Sequence, residues 1–182
     1  MKRMAMTVLA LGCVLATPAF AALKPGDTAP DFTAKAAVGG DEFTFSLSGA
    51  LKKGPVVLYF FPKAFTKGCT AEAHEFAEAA AAYAAAGATL IGMSADNIGE
   101  LHKFSLQECS SKFPVAADPD LKVIKSFDNA WKLPSTGAEV SDRTSYVIGT
   151  DGKIVYAYTD RNPDKHVENT LAAVKDLQSK KK

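Results

Sequence analysis

The chain has 182 residues, 47% of them hydrophobic and 23% charged. This is ordinary globular composition, enough for one domain with a sizeable core and too little for two large ones, and it excludes a disordered, collagen-like or coiled-coil protein. With 21 Lys+Arg against 20 Asp+Glu the formal charge is only +1, so no strong field recruits nucleic acid or an anionic membrane surface.

Met1–Ala21 has the form of a secretory leader: Lys2 and Arg3 precede an apolar stretch from Met4 to Leu15, and Ala19-Phe20-Ala21 is a small-x-small cleavage signal. The expected mature protein is a single domain over 22–182, exported to the periplasm or beyond, with no stretch that approaches the roughly 20 apolar residues of a membrane helix. Losing Lys2 and Arg3 turns the formal charge to −1. Cys13 goes with the leader, where Ala10-Leu11-Gly12 makes a poor lipoprotein box. Cys69 and Cys109 are left in a compartment that permits oxidation, as a staple or as a redox device.

Along the chain, Phe43-Thr44-Phe45 alternates like a short edge strand, and Gly54-Pro55 marks a turn. Val56 to Phe61 is a continuous β-branched and aromatic run, the pattern of a strand buried on both faces, and Pro62 ends it. The Ala- and Glu-rich stretch from Thr66 to Ala86 predicts a long helix stopped by Gly87. Ala88 to Met93 is a second apolar strand, and Ser94-Ala95-Asp96-Asn97 caps a helix through about Cys109. Asp118-Pro119-Asp120 opens a short helix ending near Phe127, followed by a loop from Leu133 to Glu139. Thr144 to Ile148 and Lys153 to Tyr158 form a hairpin around Thr150-Asp151-Gly152, and His166 to Leu177 is the last amphipathic helix. The order predicts an α/β protein of thioredoxin-like fold, a mixed central sheet with helices on both faces.

Chemistry concentrates where the first buried strand hands over to the long helix. Cys69 falls in that helix's first turn, where unpaired amides and the positive end of the macrodipole favour an anion such as a thiolate. Gly68 removes bulk beside the sulfur, so that a small substrate can approach the backbone donors, and Thr66 is placed to cap the helix, to contact substrate, or both. A cysteine in a helix is otherwise often just a small core residue.

Pro62-x-x-x-Thr66-x-x-Cys69 resembles the active-site signature of peroxiredoxins, and Gly68-Cys69-Thr70-Ala71-Glu72-Ala73 is similar to the bacterioferritin-comigratory or PrxQ branch of the AhpC/TSA family. Arg143-Thr144-Ser145-Tyr146-Val147-Ile148, followed by Asp151-Gly152-Lys153-Ile154, resembles the strand with that family's active-site arginine. Phe113 to Asp120 is a looser match. The resemblance implies a thiol-dependent peroxidase that reduces hydrogen peroxide and organic hydroperoxides through a cysteine sulfenic acid. Cys69 would be the peroxidatic nucleophile, and Arg143 a permanent cation for sulfur and peroxide. Thr66 and the amides of Gly68 and Cys69 would hold the oxygens, Pro62 would shield the sulfur, and Glu72 would anchor the arginine or a nearby loop. The plain alternative for Arg143 is a surface ion pair with Asp142.

The sequence departs from the branch's commonest pattern five residues after Cys69, where many relatives have a second cysteine and this chain has His74. Cys109, projected at the edge of an apolar helix face, is the candidate resolving thiol, with a passive core thiol as the alternative. The resemblance implies no cofactor (metal, flavin or haem), a thioredoxin-like or small-thiol reductant, and a monomer or weak dimer. His74, His102 and His166 have no metal-ligand spacing and read as solvated surface. Phe65 and Trp131 line the pocket mouth or pack in the core. The rival reading is a non-enzymatic thioredoxin-fold binding module stapled by a Cys69–Cys109 disulfide.

Overall fold

The structure, a computed structural model, describes residues 22–180, so the expected leader and the last two lysines lie outside the described residues. A seven-stranded mixed sheet runs in the order β2-β1-β5-β4-β3-β8-β9. Its strands are β1 (Thr33–Val38), β2 (Asp41–Ser46), β3 (Val56–Phe60), β4 (Thr89–Ser94), β5 (Val115–Ala117), β8 (Thr144–Ile148) and β9 (Ile154–Thr159). β3, β4 and β5 are parallel neighbours, and β8 lies antiparallel to β3. A two-stranded ribbon, β6 (Ala130–Lys132) with β7 (Glu139–Ser141), stands apart from the sheet.

β3 is buried along its whole length, as its apolar run predicts. Its side chains alternate: Val57, Tyr59 and Phe61 enter one core, with residues of helices α2 (Lys67–Ala85), α3 (Ile98–Gln107) and α5 (His166–Ser179). Val56, Leu58 and Phe60 enter the other, with α1 (Leu47–Leu51) and α4 (Lys122–Ser126). Helices therefore cover both faces, and every strand residue beneath them must be apolar or hydrogen-bonded.

The long helix stops at Ala86 with Gly87 at φ +64°, the left-handed position that glycine adopts without cost. Asn97 caps α3 through the Glu100 amide, and Asp118 accepts the Lys122 and Ile124 amides at the start of α4. The strands β1, β5 and the β6–β7 ribbon were not legible. β1 is Thr-Ala-Lys-Ala-Ala-Val, which has little strand propensity and is held by pairing on both sides, to β2 and β5. β2 is the edge strand that the Phe43–Phe45 alternation predicts.

Candidate active site

Thr66 occupies the N-cap position of α2 with extended backbone, and the first intrahelical bond runs from the Thr70 amide to the Thr66 carbonyl at 2.9 Å. The amides of Lys67, Gly68 and Cys69 precede that bond, and the Thr66 side chain does not cap them. The Thr66 hydroxyl donates instead to the Lys63 carbonyl at 2.9 Å, so the capping role is not taken up. With its proton committed there, the hydroxyl oxygen has only acceptor capacity to offer a ligand.

The loop that delivers Thr66 is built under tension. Phe65 has φ +62°, a left-handed conformation unfavourable for a bulky side chain. Asp96, at the end of β4, holds the loop down: Oδ2 accepts the Ala64 amide at 2.7 Å and the Ser94 hydroxyl at 2.9 Å, and Oδ1 accepts Lys63 Nζ at 3.0 Å. Ser141 donates to the Phe61 carbonyl at 2.7 Å, which ties the ribbon to the start of the same loop. Pro62 is half-buried between these two anchors. Phe65 is exposed and sets its ring edge-on against buried Phe104, while Trp131 lies half-buried beneath the Arg161 guanidinium, 4.0 Å away.

Arg143 reaches into this site from the start of β8. It is 5% exposed and donates in three directions: Nη2 to Cys69 Sγ at 3.4 Å, Nη1 to Glu72 Oε2, and Nε to the Arg161 carbonyl at 3.0 Å. Burial acts to lower its pKa, but the neighbouring Glu72 and Cys69 outweigh that and raise it, so the guanidinium stays charged. The surface pair expected for Asp142 exists, but its partner is Arg161 at 3.2 Å. Gly68 has a reason that sequence alone does not supply: a Cβ there would lie 3.2 Å from Arg143 Nη2, so the missing side chain makes room for the guanidinium.

Cys69 is 1% exposed, yet its sulfur meets a guanidinium and the mouth of a helix rather than hydrocarbon alone. Glu72, one turn further on, is wholly buried, and burial pushes its carboxyl up to about 8 despite the adjacent Arg143. His166 is not the solvated surface residue that the sequence suggests, because its ring is enclosed by partners from other elements. It is wholly buried at the start of α5, where Nδ1 lies 2.8 Å from the Ser145 hydroxyl and Nε2 lies 2.8 Å from the Asp160 carbonyl. Desolvation pushes it down to about 4. His74 and His102 do lie toward the surface, beside Glu108 and Glu42. Among the described residues no cluster of His, Cys, Asp or Glu could hold a metal ion.

Cys109 lies just beyond the end of α3, so it has no place at the edge of that helix's apolar face, and it is fully buried. Burial, with Glu108 beside it, pushes its thiol well above the ordinary range. Both cysteines are free, so the staple of the binding-module reading is not formed. The sequence reading thus assembles Cys69, Gly68, Glu72 and Arg143 at one point, with Thr66 and Pro62 on the entering loop. It misses Ser145, His166, Asp96 and the Arg161 carbonyl.

A buried cysteine at a helix mouth, met by an arginine from a neighbouring strand of a thioredoxin-like sheet, is the arrangement of a peroxiredoxin fold, and solved structures agree. Peroxidoxin BcpB from Mycobacterium tuberculosis superposes with a TM-score of 0.76 at 31% identity, covering 85% of this chain and 98% of that one. In sequence the chain is 32% identical over 158 residues to peroxiredoxin Bcp of Bacillus subtilis, covering 85% of this chain and 97% of that protein. It is 33% identical over 161 residues to chloroplastic peroxiredoxin Q of Sedum lineare, covering 87% and 82%. The family model of the AhpC/TSA family matches residues 25–157. The chain belongs to the AhpC/TSA family of peroxiredoxins, and these relatives are of its PrxQ/Bcp branch.

Proposed function

We propose that the protein reduces hydrogen peroxide and organic hydroperoxides at Cys69, drawing electrons from a thioredoxin-like or small-thiol donor. The observation that carries this reading is the Arg143 guanidinium held 3.4 Å from Cys69 Sγ at the N-terminus of α2. Attack by the thiolate forms an S–O bond and breaks the O–O bond; sulfur is oxidised to sulfenic acid, and the departing oxygen leaves as alkoxide or hydroxide and takes up a proton. Arg143 and the free amides of the first turn meet the negative charge on both sides of that step. Thr66 accepts the hydroperoxide O–H and orients it.

We assign resolution to Cys109. The His74–Glu108 pair, at 2.8 Å, lays the end of α3 against the first half of α2, and Ser110 and Ser111 follow Cys109 at φ +50° and +58°. Two consecutive left-handed serines are a local strain that unwinding relieves. Because both thiols are buried, the disulfide, with loss of water, forms only after this segment opens. The burial of Cys109 supports a second reading, in which an external thiol reduces the sulfenic acid directly. The leader-like Met1–Ala21 supports work in the periplasm or outside the cell.

Intact mass after one equivalent of peroxide tests both levels. Addition of one oxygen or loss of two hydrogens is expected, abolished in Cys69→Ser; an inert parent protein refutes the peroxidase reading. In Cys109→Ser the sulfenic acid should persist without a disulfide. A parent protein that also forms no disulfide assigns resolution to an outside thiol.

A further inference from the structure

Glu72 is held by only one of its oxygens. Oε2 accepts from Arg143 Nη1, while Oε1 is buried with no hydrogen-bond partner. Facing Oε1 is His166 Nδ1, 3.7 Å away. The state of that nitrogen follows from the opposite side of the ring. Nε2 sits 2.8 Å from the Asp160 carbonyl, which can only accept, so Nε2 carries a hydrogen. A neutral imidazole then has its lone pair at Nδ1, and the Ser145 hydroxyl donates to it. A carboxylate at Glu72 would hold one oxygen in the interior with no donor, beside a nitrogen that carries no hydrogen, and a buried charge without such a partner is costly.

Counting charge agrees once Cys69 is taken as the thiolate that the peroxidase reading requires. A thiolate, a guanidinium and a carboxylate enclosed together leave a net negative site, and one added proton makes it neutral. The groups that act on Glu72 and His166 are Arg143, just before β8, and Ser145 within it, Tyr59 on β3, Cys69 and Glu75 on α2, Tyr158 on β9 and Asp160 just after it. Arg143 is the one permanent cation of this set, so nothing else in it holds Glu72 ionised.

We propose that in the reduced protein Glu72 is a neutral carboxylic acid, because the His166 nitrogen beside its Oε1 carries no hydrogen to donate, and that it gives up its proton when Cys69 is oxidised. This rests on the peroxidase reading above. The balance is Cys69–S⁻ + Glu72–COOH + ROOH → Cys69–SOH + Glu72–COO⁻ + ROH: the S–O bond forms, the O–O bond breaks, and the proton of Glu72 matches the charge of the departing alkoxide. Before the reaction the charge of Arg143 is undivided and faces the sulfur. After it, with the sulfur neutral, the guanidinium pairs with a full carboxylate. Burial pushing Glu72 up to about 8 and His166 down to about 4 agrees with a proton on the acid rather than on the ring. His166 and Ser145 are thus positioning residues that act on the sulfur through Glu72 and Arg143.

The test is a proton count in single turnover. Reduced Cys109→Ser protein, in weakly buffered solution at neutral pH with an indicator dye, receives one equivalent of hydrogen peroxide. With His166 present, sulfenic acid should form without net proton uptake from solvent. In the additional His166→Gln variant the amide can donate to Glu72 Oε1 and hold a carboxylate from the start, so one proton per sulfenic acid should be taken up. Equal counts in the two proteins overturn the proposal. A second measurement does not depend on the variant folding: the infrared spectrum of reduced parent protein with isotope-labelled glutamate should show a protonated-carboxyl band, missing in Glu72→Gln and lost on oxidation. Absence of that band in the reduced protein overturns the proposal. If no sulfenic acid forms, the peroxidase reading fails while the band still decides the state of Glu72.

Discussion

Replacing Glu72 by glutamine should change how stability depends on pH, and the sign can be worked out. Glu72 has its pKa raised by burial from 4.5 to about 8, so the folded state holds a proton that the unfolded state releases; the stability this gives is complete below 4.5 and is lost as pH rises toward 8. His166 has its pKa lowered by burial from 6.5 to about 4, so its contribution is complete above 6.5 and is lost as pH falls toward 4. Between 4.5 and 6.5 the two slopes are equal and opposite, and the parent protein should show a plateau. Between 6.5 and 8 Glu72 acts alone, and at about 1.4 kcal/mol per pH unit the parent should lose about 2 kcal/mol. Glutamine cannot titrate, so Glu72→Gln should be level above 6.5 and should gain about 3 kcal/mol between 4 and 6.5, where His166 now acts unopposed. Urea denaturation of the reduced proteins across this range reads both curves. Parent and variant curves of the same shape would refute the reasoning, because Glu72 would then be an ordinary ionised partner of Arg143.

Arg143→Lys keeps a cation but loses the fork that serves Cys69, Glu72 and the Arg161 carbonyl together; sulfenic acid formation in stopped-flow should slow by about 10²–10³, the cost of one preorganised donor, and a loss under tenfold contradicts the role. Asp96→Ala leaves the Ala64 amide and the Ser94 hydroxyl without their acceptor and frees a loop that contains left-handed Phe65. It should cost about 1–3 kcal/mol in denaturation and raise KM for hydroperoxide, and an unchanged KM would show that the anchor does not reach Thr66. His74→Ala removes the clasp to Glu108, a partly exposed pair worth about 0–1 kcal/mol, so disulfide formation after oxidation should be up to about fivefold faster, with the peroxide step unchanged. Slower disulfide formation would mean that the clasp aligns Cys109 rather than restrains it.

The parts of this fold that were readable in sequence are those whose own residues decide their conformation. β3 announces itself by six apolar residues between Pro55 and Pro62, and α2 by alanine and glutamate ending at Gly87. Cys69 was placed because its position in a helix's first turn is a local matter. Arg143 was found only through a resemblance, since nothing in Asp142-Arg143-Thr144 tells the buried arginine from the ordinary surface pair, which in fact joins Asp142 to Arg161. His166 could not be read as buried. It follows Pro163-Asp164-Lys165, which looks like a solvated turn, and its burial depends on Ser145, on Glu72 and on the Asp160 carbonyl. Two of these three partners are more than 20 residues away in sequence. β5 has only three residues, and its identity as a strand comes from β1 and β4 on either side. The burial of Cys109 is not legible from a helical projection, because α3 stops at Gln107 and Cys109 lies beyond it, in the core.

The meeting of these distant groups follows from one register. β8 pairs with β3 so that Phe60 stands opposite Thr144 and Tyr59 opposite Ser145. Thr144, Tyr146 and Ile148 then belong with the face of Phe60 and Leu58, while Arg143, Ser145 and Val147 belong with the face of Tyr59 and Phe61, beneath α2 and α5. Two residues along that face separate the arginine that touches the sulfur from the serine that holds His166, and Glu72, one turn beyond Cys69, lies against both Arg143 and His166. A slip of one residue would send Arg143 and Ser145 together to the opposite face, into Phe127 and Phe60, and place Thr144 and Tyr146 under the sulfur. The apolar core therefore specifies the chemistry: the alternation of β3 and β8 that fills two cores also fixes which side of the sheet receives the cation, the hydroxyl and, through them, the proton of Glu72.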